Sequence, residues 1–217
     1  MPKNTKIAIL LDKKNSWLKS FINKNAFKNI KKKTKVLISF EPKKIRKFNI
    51  VFILGFTKIL NKNFLNANNL CLVIHASKLP SNKGFAPMQW QILGKKNIIP
   101  FSLIKINEKV DSGDIILTDT VRFNGTELYE EIRRKQAQKT IYMIKKFMKI
   151  YPKFKTIKQK GRSNFLRKRS KKDSELNINK SIKEQFNLMR IANNEEWPLF
   201  FKYKNKTYFL KITKEMK

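Results

Sequence analysis

The chain holds one histidine, His75, and one cysteine, Cys71, so any imidazole chemistry falls on a single residue. His75 directly follows the apolar run Leu70 to Ile74 (LCLVI) and opens a loop, Ala76 to Pro87, that contains Pro80 and Gly84. In open α/β sheets ligands bind just beyond the carboxyl ends of the strands. An imidazole placed there can donate to a developing oxyanion or move a proton near neutral pH. The competing reading is a histidine that only ties its loop together. Asp111 is the second candidate, in the turn Asp111-Ser112-Gly113. A carboxylate beside an imidazole makes a general acid/base pair, whereas an aspartate that bonds its own backbone explains the same turn. Trp17, Trp90 and Trp197 could stack on a ligand or simply pack. Other chemistries are excluded on residue type. One histidine and one cysteine do not make a zinc site, so no metal is expected. The six glycines form neither G-x-G-x-x-G nor a P-loop, and there is no serine nucleophile elbow.

The elements that must position these residues alternate between short apolar runs and helix-like stretches. Lys6 to Leu11, Val36 to Phe40, Ile50 to Leu54, Leu70 to Ile74, Phe101 to Ile106 and Ile115 to Val121 read as strands. The continuously apolar ones call for burial on both faces. Leu18, Phe21 and Ile22 mark a helix-like stretch after Asn15-Ser16-Trp17, and Met88 to Leu93 is a short helix. Thr126 to Tyr151 is the longest helix, with Leu128, Ile132, Ala137, Ile141, Ile144 and Met148 at helical spacing. The expected fold is therefore α/β: a Rossmann-like, mostly parallel sheet flanked by helices over residues 1–151. Residues 152–169 are basic and weakly patterned, a linker. Residues 170–217 form a small β-rich subdomain: Ser181 and Glu184 make a capping box, and Leu199 to Tyr203 with Thr207 to Ile212 make a hairpin around Asn205.

Composition bounds the setting. The 217 residues, 41% hydrophobic, suffice for one α/β domain with an appendage. No apolar run approaches the roughly 20 residues of a membrane span. The N-terminus lacks a signal-peptide pattern, and a single cysteine suits a reducing compartment, so a cytoplasmic protein is expected. The formal net charge of +35 attracts phosphates. The lysines are dispersed and accompanied by abundant Asn and Ile, the pattern of a codon bias more than of a nucleic-acid track. An anionic substrate would be drawn in on either reading.

Three segments carry a resemblance. His75-Ala76-Ser77-Lys78-Leu79-Pro80 with Gly84 and Pro87 resembles the His-x-Ser-x-Leu-Pro…Gly…Pro signature of the formyltransferase family. Val110-Asp111-Ser112-Gly113-Asp114-Ile115 resembles its second signature, and Gly55-Phe56-Thr57-Lys58-Ile59-Leu60 the segment that grips the folate pterin. The resemblance covers about Lys6 to Tyr151. It implies a 10-formyltetrahydrofolate donor, with His75 and Asp111 catalytic. Phe56, Thr57, Lys58, Ile59 and Leu60 would line the pterin slot with Asn107, Glu108, Lys109 and Val110. Lys13, Ser16, Trp17, Ser77, Lys78, Gly84 and Arg169 would hold the acceptor. The tail residues Arg167-Lys168-Arg169, Lys172-Asp173-Ser174, Asn187, Arg190, Trp197-Pro198 and Phe200 resemble sugar N-formyltransferases, nearest to those of pseudaminic-acid-type pathways. That implies a nucleotide-linked amino-deoxy sugar as acceptor, with no nucleic-acid or membrane partner and a homodimer left open. Methionyl-tRNA formyltransferase is the alternative, against which the short tail argues; a non-catalytic folate or nucleotide binder is another. One departure stands out: the family's oxyanion-donating asparagine, two residues before the histidine, is here Val73. Removing one such donor typically costs about 100- to 1,000-fold in rate. Asn69 and Gln89 are the candidate replacements.

Overall fold

The structure, a computed structural model, describes residues 4–22 and 35–215, apart from the side chains of 14–16 and 35. The strands run β1 Lys6–Leu11, β2 Lys35–Ser39, β3 Ile50–Leu54, β4 Cys71–His75, β5 Lys83–Gly84, β6 Ile98–Lys105, β7 Ile115–Arg122, β8 Phe165–Leu166, β9 Leu199–Tyr203 and β10 Lys206–Leu210. The helices are α1 Lys62–Asn66, α2 Pro87–Leu93, α3 Tyr129–Ile150 and α4 Ile182–Arg190. The main sheet has the order β2-β1-β3-β4-β6-β7. β1 to β4 are mutually parallel, while β6 runs antiparallel to both β4 and β7. The antiparallel turn-back lays residues 106–114 beside β4.

The two faces of the sheet bury different side chains because successive residues of a strand alternate. Ile7, Ile9, Leu11, Phe52, Leu72, Phe101 and Leu103 face α2 and α3. Ala8, Leu10, Val51, Ile53 and Cys71 face the opposite way, toward Phe64 of α1. The five residues of β3 are all buried, as a continuously apolar strand requires. Burying each such Leu, Ile or Phe contributes about 1.5–3 kcal/mol. On α3 the buried face is Ile132, Ala137, Thr140, Met143, Ile144, Phe147 and Met148. Met143 and Phe147 therefore replace the expected Ile141, which is only half-buried. The Asn15–Trp17 region forms a tight 3-10 turn, Lys13–Leu18, in place of a longer helix. Trp17 packs against the α2/α3 side of the core.

The segment expected to be a linker is built into the domain. Ile157 bonds Ile115 through both backbone groups, at 2.8 Å each. Phe165–Leu166 pairs in parallel with Lys83–Gly84. The tail docks through Arg190, which is 1% exposed and donates to the Glu127 carbonyl at 3.0 Å and carboxylate at 3.1 Å. The Ser181–Glu184 capping box starts α4, and the hairpin turns at Lys204 and Asn205, both with positive φ.

Candidate active site

His75 is the last residue of β4, and Asp111 reaches it from the β6–β7 connection. His75 Nδ1 lies 3.5 Å from Asp111 Oδ2, with the side chains 7% and 13% exposed. At that length the contact is electrostatic more than a strong hydrogen bond. Nε2 is 2.7 Å from the Asn82 carbonyl. A carbonyl only accepts, so Nε2 carries a proton. Each ring nitrogen thus faces an acceptor.

Besides His75, two groups hold Asp111. Its Oδ2 accepts from the Gly84 N–H at 2.8 Å. Gln159 Nε2 donates to the carbonyls of both Asp111 and Gly113 at 2.8 Å, while its buried Oε1 meets no donor among the described residues. Asp111 itself sits in the left-handed region, φ 47°. Gly113 can only be glycine, because a Cβ there would lie 1.7 Å from the Lys105 carbonyl. Gly84 is similarly constrained, at φ +90° with a Cβ position 2.6 Å from the Leu166 carbonyl. Lys83, 8% exposed, places its Nζ 3.0 Å from Ser112 Oγ and 5.8 Å from the Phe165 ring centroid.

The proposed pterin segments flank one apolar floor. Phe56, Leu60, Val73 and Ile106 are partly buried around the second core cluster and leave their outer sides open. Val73 shares its face of β4 with His75 through the two-residue strand period. Lys62 pairs with Glu108 at 3.3 Å, tying α1 to the loop at residues 107–110. Asp12 accepts from the Thr57 N–H at 2.9 Å and also bonds the Thr57 hydroxyl. That N–H is thereby engaged within the protein. Lys58, Ile59, Asn107, Lys109 and Val110 are exposed along the rim. An apolar floor between two exposed segments is chemistry that fits a pterin ring.

The remaining sequence-derived residues distribute unevenly. Gly84 stands beside Asp111. Ser77 is fully buried; its hydroxyl donates to the Ser81 carbonyl at 2.8 Å, which makes it a loop-holding residue. Lys13 and Lys78 are exposed. The Ser16 side chain lies outside the described residues. Trp17 lies under the Arg133 guanidinium, 4.6 Å from its ring centroid, and Arg169 donates to the Asp173 carbonyl at 2.9 Å, so neither touches His75 or Asp111. Neither replacement for the missing asparagine fits: Asn69 precedes the first residue of β4, at the opposite end from His75. Gln89 is buried on α2, and with its amide turned to suit its neighbours it would bond the Ala86 carbonyl and the Arg133 guanidinium. Cys71 is buried, which pushes its thiol up to about 11 and leaves it unreactive at neutral pH. Asp12, Lys83 and Gln159 escaped sequence reading. Only Asp12, an acid at a strand end, had a signal that could have flagged it.

Residues 42–146 match the formyl transferase family. A methionyl-tRNA formyltransferase of Thermodesulfovibrio yellowstonii is 30% identical over 74% of this chain and 53% of its own length. The chain thus spans about half the length of the curated relatives it matches. Among solved structures, a methionyl-tRNA formyltransferase from Clostridium thermocellum aligns with TM-score 0.80, 19% identity and coverage of 99% of this chain and 94% of that one. A sugar N-formyltransferase from Shewanella aligns at TM-score 0.66, 15% identity and 98% of each chain. HypX from Aquifex aeolicus, solved with tetrahydrofolic acid, aligns at TM-score 0.71, 12% identity, 97% of this chain and 38% of that one. The fold is that of formyltransferases.

Proposed function

We propose that this chain transfers a formyl group from 10-formyltetrahydrofolate to the primary amine of a nucleotide-linked amino-deoxy sugar. The observation that carries the reaction is the His75–Asp111 pair, with Asp111 Oδ2 fixed by the Gly84 N–H. When bound in the slot between residues 56–60 and 107–110, the donor supplies an electrophilic formyl carbon. As the amine attacks, a new C–N bond forms and negative charge develops on the formyl oxygen; collapse of this tetrahedral state breaks the bond between the formyl carbon and the donor nitrogen, and tetrahydrofolate leaves as that nitrogen takes up a proton. His75 exchanges its Asn82 carbonyl for that oxygen and stabilises it by hydrogen bonding. Asp111 holds His75 and, through water, takes the proton the amine must lose.

The sugar assignment rests on dispersed lysines and on the tail pattern around Arg167, Asp173 and Trp197, which resembles enzymes of pseudaminic-acid-type pathways. A methionyl-tRNA acceptor is the second reading, favoured by the names of the Thermodesulfovibrio and Clostridium relatives. The test is formyl transfer followed by mass spectrometry, with a panel of nucleotide-linked amino sugars and with methionyl-tRNA. His75→Ala should lower turnover by at least about 100-fold, the scale of one oxyanion donor. A loss under about tenfold would remove His75 from the chemistry. No turnover on any amine would leave a folate-binding protein in place of an enzyme.

A further inference from the structure

Beyond the pair at His75, one buried cation has no part in the chemistry described so far. Lys83 is 8% exposed, with the Ser112 hydroxyl 3.0 Å from its Nζ and the Phe165 ring centroid at 5.8 Å. Among the described residues it makes no ion pair. An ammonium loses hydration on burial, and a lysine is almost never sunk this far without a charged partner. Its two neighbours in the chain explain the placement. The Asn82 carbonyl faces His75 Nε2 at 2.7 Å, and the Gly84 N–H donates to Asp111 Oδ2 at 2.8 Å. Consecutive residues therefore reach the imidazole, the Asp111 turn and the carboxylate. This clip is anchored from behind. The N–H groups of Asn82, Lys83 and Phe85 donate to Asn164 Oδ1, the Asn164 carbonyl and the Leu166 carbonyl, at 2.8, 3.0 and 3.1 Å.

The hydroxyl that Nζ grips leads further. Ser112 Oγ accepts from Lys83 and donates onward to the Val110 carbonyl at 2.9 Å. Accepting from a charged donor makes a hydroxyl the better donor in turn. A chain of bonds thus runs from the loop after His75 into the rim at residues 107–110. Ser112 also follows Asp111, whose φ of 47° is disfavoured for a residue with a Cβ and persists only where neighbours enforce it. Gln159 holds the carbonyls on either side, those of Asp111 and Gly113. Lys83 holds the residue between them. The one backbone support of Ser112, its N–H to the Lys109 carbonyl, is long at 3.4 Å. If stability were the sole end, an apolar side chain of this length would serve better, since it has no charge to desolvate.

We infer that Lys83 is a positioning residue for formyl transfer: through Ser112 and Val110 it keeps the Asp111 turn and the donor rim in register with His75. This rests on the formyl-transfer reading above, so its test includes a readout that needs no turnover. His75 is the one histidine of the chain, and its ring gives a single set of NMR signals in the full, 15N-labelled protein. Lys83→Met keeps the length of the side chain and removes its charge. In the folded variant the His75 ring signals should shift or broaden. Tetrahydrofolate, titrated by calorimetry, should bind about threefold or more weakly, the scale of one hydrogen bond. With whichever acceptor the panel above identifies, kcat should fall by about tenfold or more, since a displacement of about 1 Å can cost about 100-fold, while the acceptor KM stays within about twofold. The double variant Lys83→Met/Ser112→Ala should lose no more than the worse single one, because both cut one link. Should Lys83→Met fail to fold, Ser112→Ala cuts that link from its other end and should give the same signature. Unmoved ring signals or wild-type tetrahydrofolate affinity in a folded variant overturns the inference and leaves Lys83 a stabilising residue, as do losses that multiply in the double variant. A wild-type chain that formylates no amine would sink the formyl-transfer reading, and the ring signals and folate affinities of the variants would still decide whether the link positions His75.

Discussion

At the residue scale, the site turns on what surrounds one imidazole. Val73 faces the same side of β4 as His75, with no donor to offer the formyl oxygen. If that gap limits the rate, Val73→Asn should raise turnover, up to the roughly 100-fold scale of a single oxyanion donor. Unchanged or lower turnover would show that another donor already serves the oxygen. His75 and Asp111 were legible in the sequence because each sits in a spaced motif. Their supports were not. Asp111 depends on Gly84, Gln159 and a left-handed backbone, and only the glycine lies in a motif. Gln159 lies in an unpatterned basic stretch where nothing in residue type predicts an inward-facing amide. Lys83 was hidden for a different reason: it reads as one more surface charge, and its partner Ser112 is distant in sequence.

At the scale of elements, the long apolar strands were readable because burial on both faces leaves a continuous signature. The two-residue strands β5 and β8 left none, since a ribbon that short has no periodicity. Yet this ribbon couples the loop after His75 to the tail. Gly84→Ala should break it, through both the positive φ and the 2.6 Å approach to the Leu166 carbonyl. The expected result is at least a tenfold loss of formyl transfer, because the Gly84 N–H also fixes Asp111, with a stability loss of about 1–3 kcal/mol. A variant with wild-type activity would show that the ribbon does not position Asp111. The α3–α4 junction makes a separate prediction. Burial raises the Glu127 pKa, but Lys135 and the backbone N–H groups of Asn124 and Gly125 outweigh it and bring the value to about 2. Because the folded value lies below the unfolded one, this stabilisation is present above about pH 4.5 and disappears as pH falls toward about 2. Thermal melts of the wild type should therefore drop over that window, and Glu127→Gln should start less stable with a flatter acid limb. An equally steep limb in the variant would assign the acid sensitivity to other carboxylates.

At the scale of the whole molecule, the charge of +35 governs what the protein attracts before any site selects. Such a field raises association rates for every anion and falls steeply with ionic strength. It will therefore give tRNA binding at low salt whether or not tRNA is the acceptor, and affinity at low salt decides nothing. The slope decides. Non-specific contact through many dispersed lysines releases many counterions, and a protein making six to ten phosphate contacts loses about 1,000- to 100,000-fold in affinity between 50 and 200 mM salt. A diphosphate engages few charges, so its binding is screened less. If the acceptor is a sugar nucleotide, UDP affinity should fall only about tenfold or less over the same range, while tRNA affinity collapses. Formylation of an amino sugar nucleotide should persist at 150 mM salt, with none of methionyl-tRNA above background. A tRNA affinity that survives physiological salt, joined to formylation of the charged tRNA and of no sugar nucleotide, would give the chain the acceptor named for its Thermodesulfovibrio and Clostridium relatives. The basic surface would then be a binding track that the dispersion of its lysines had concealed.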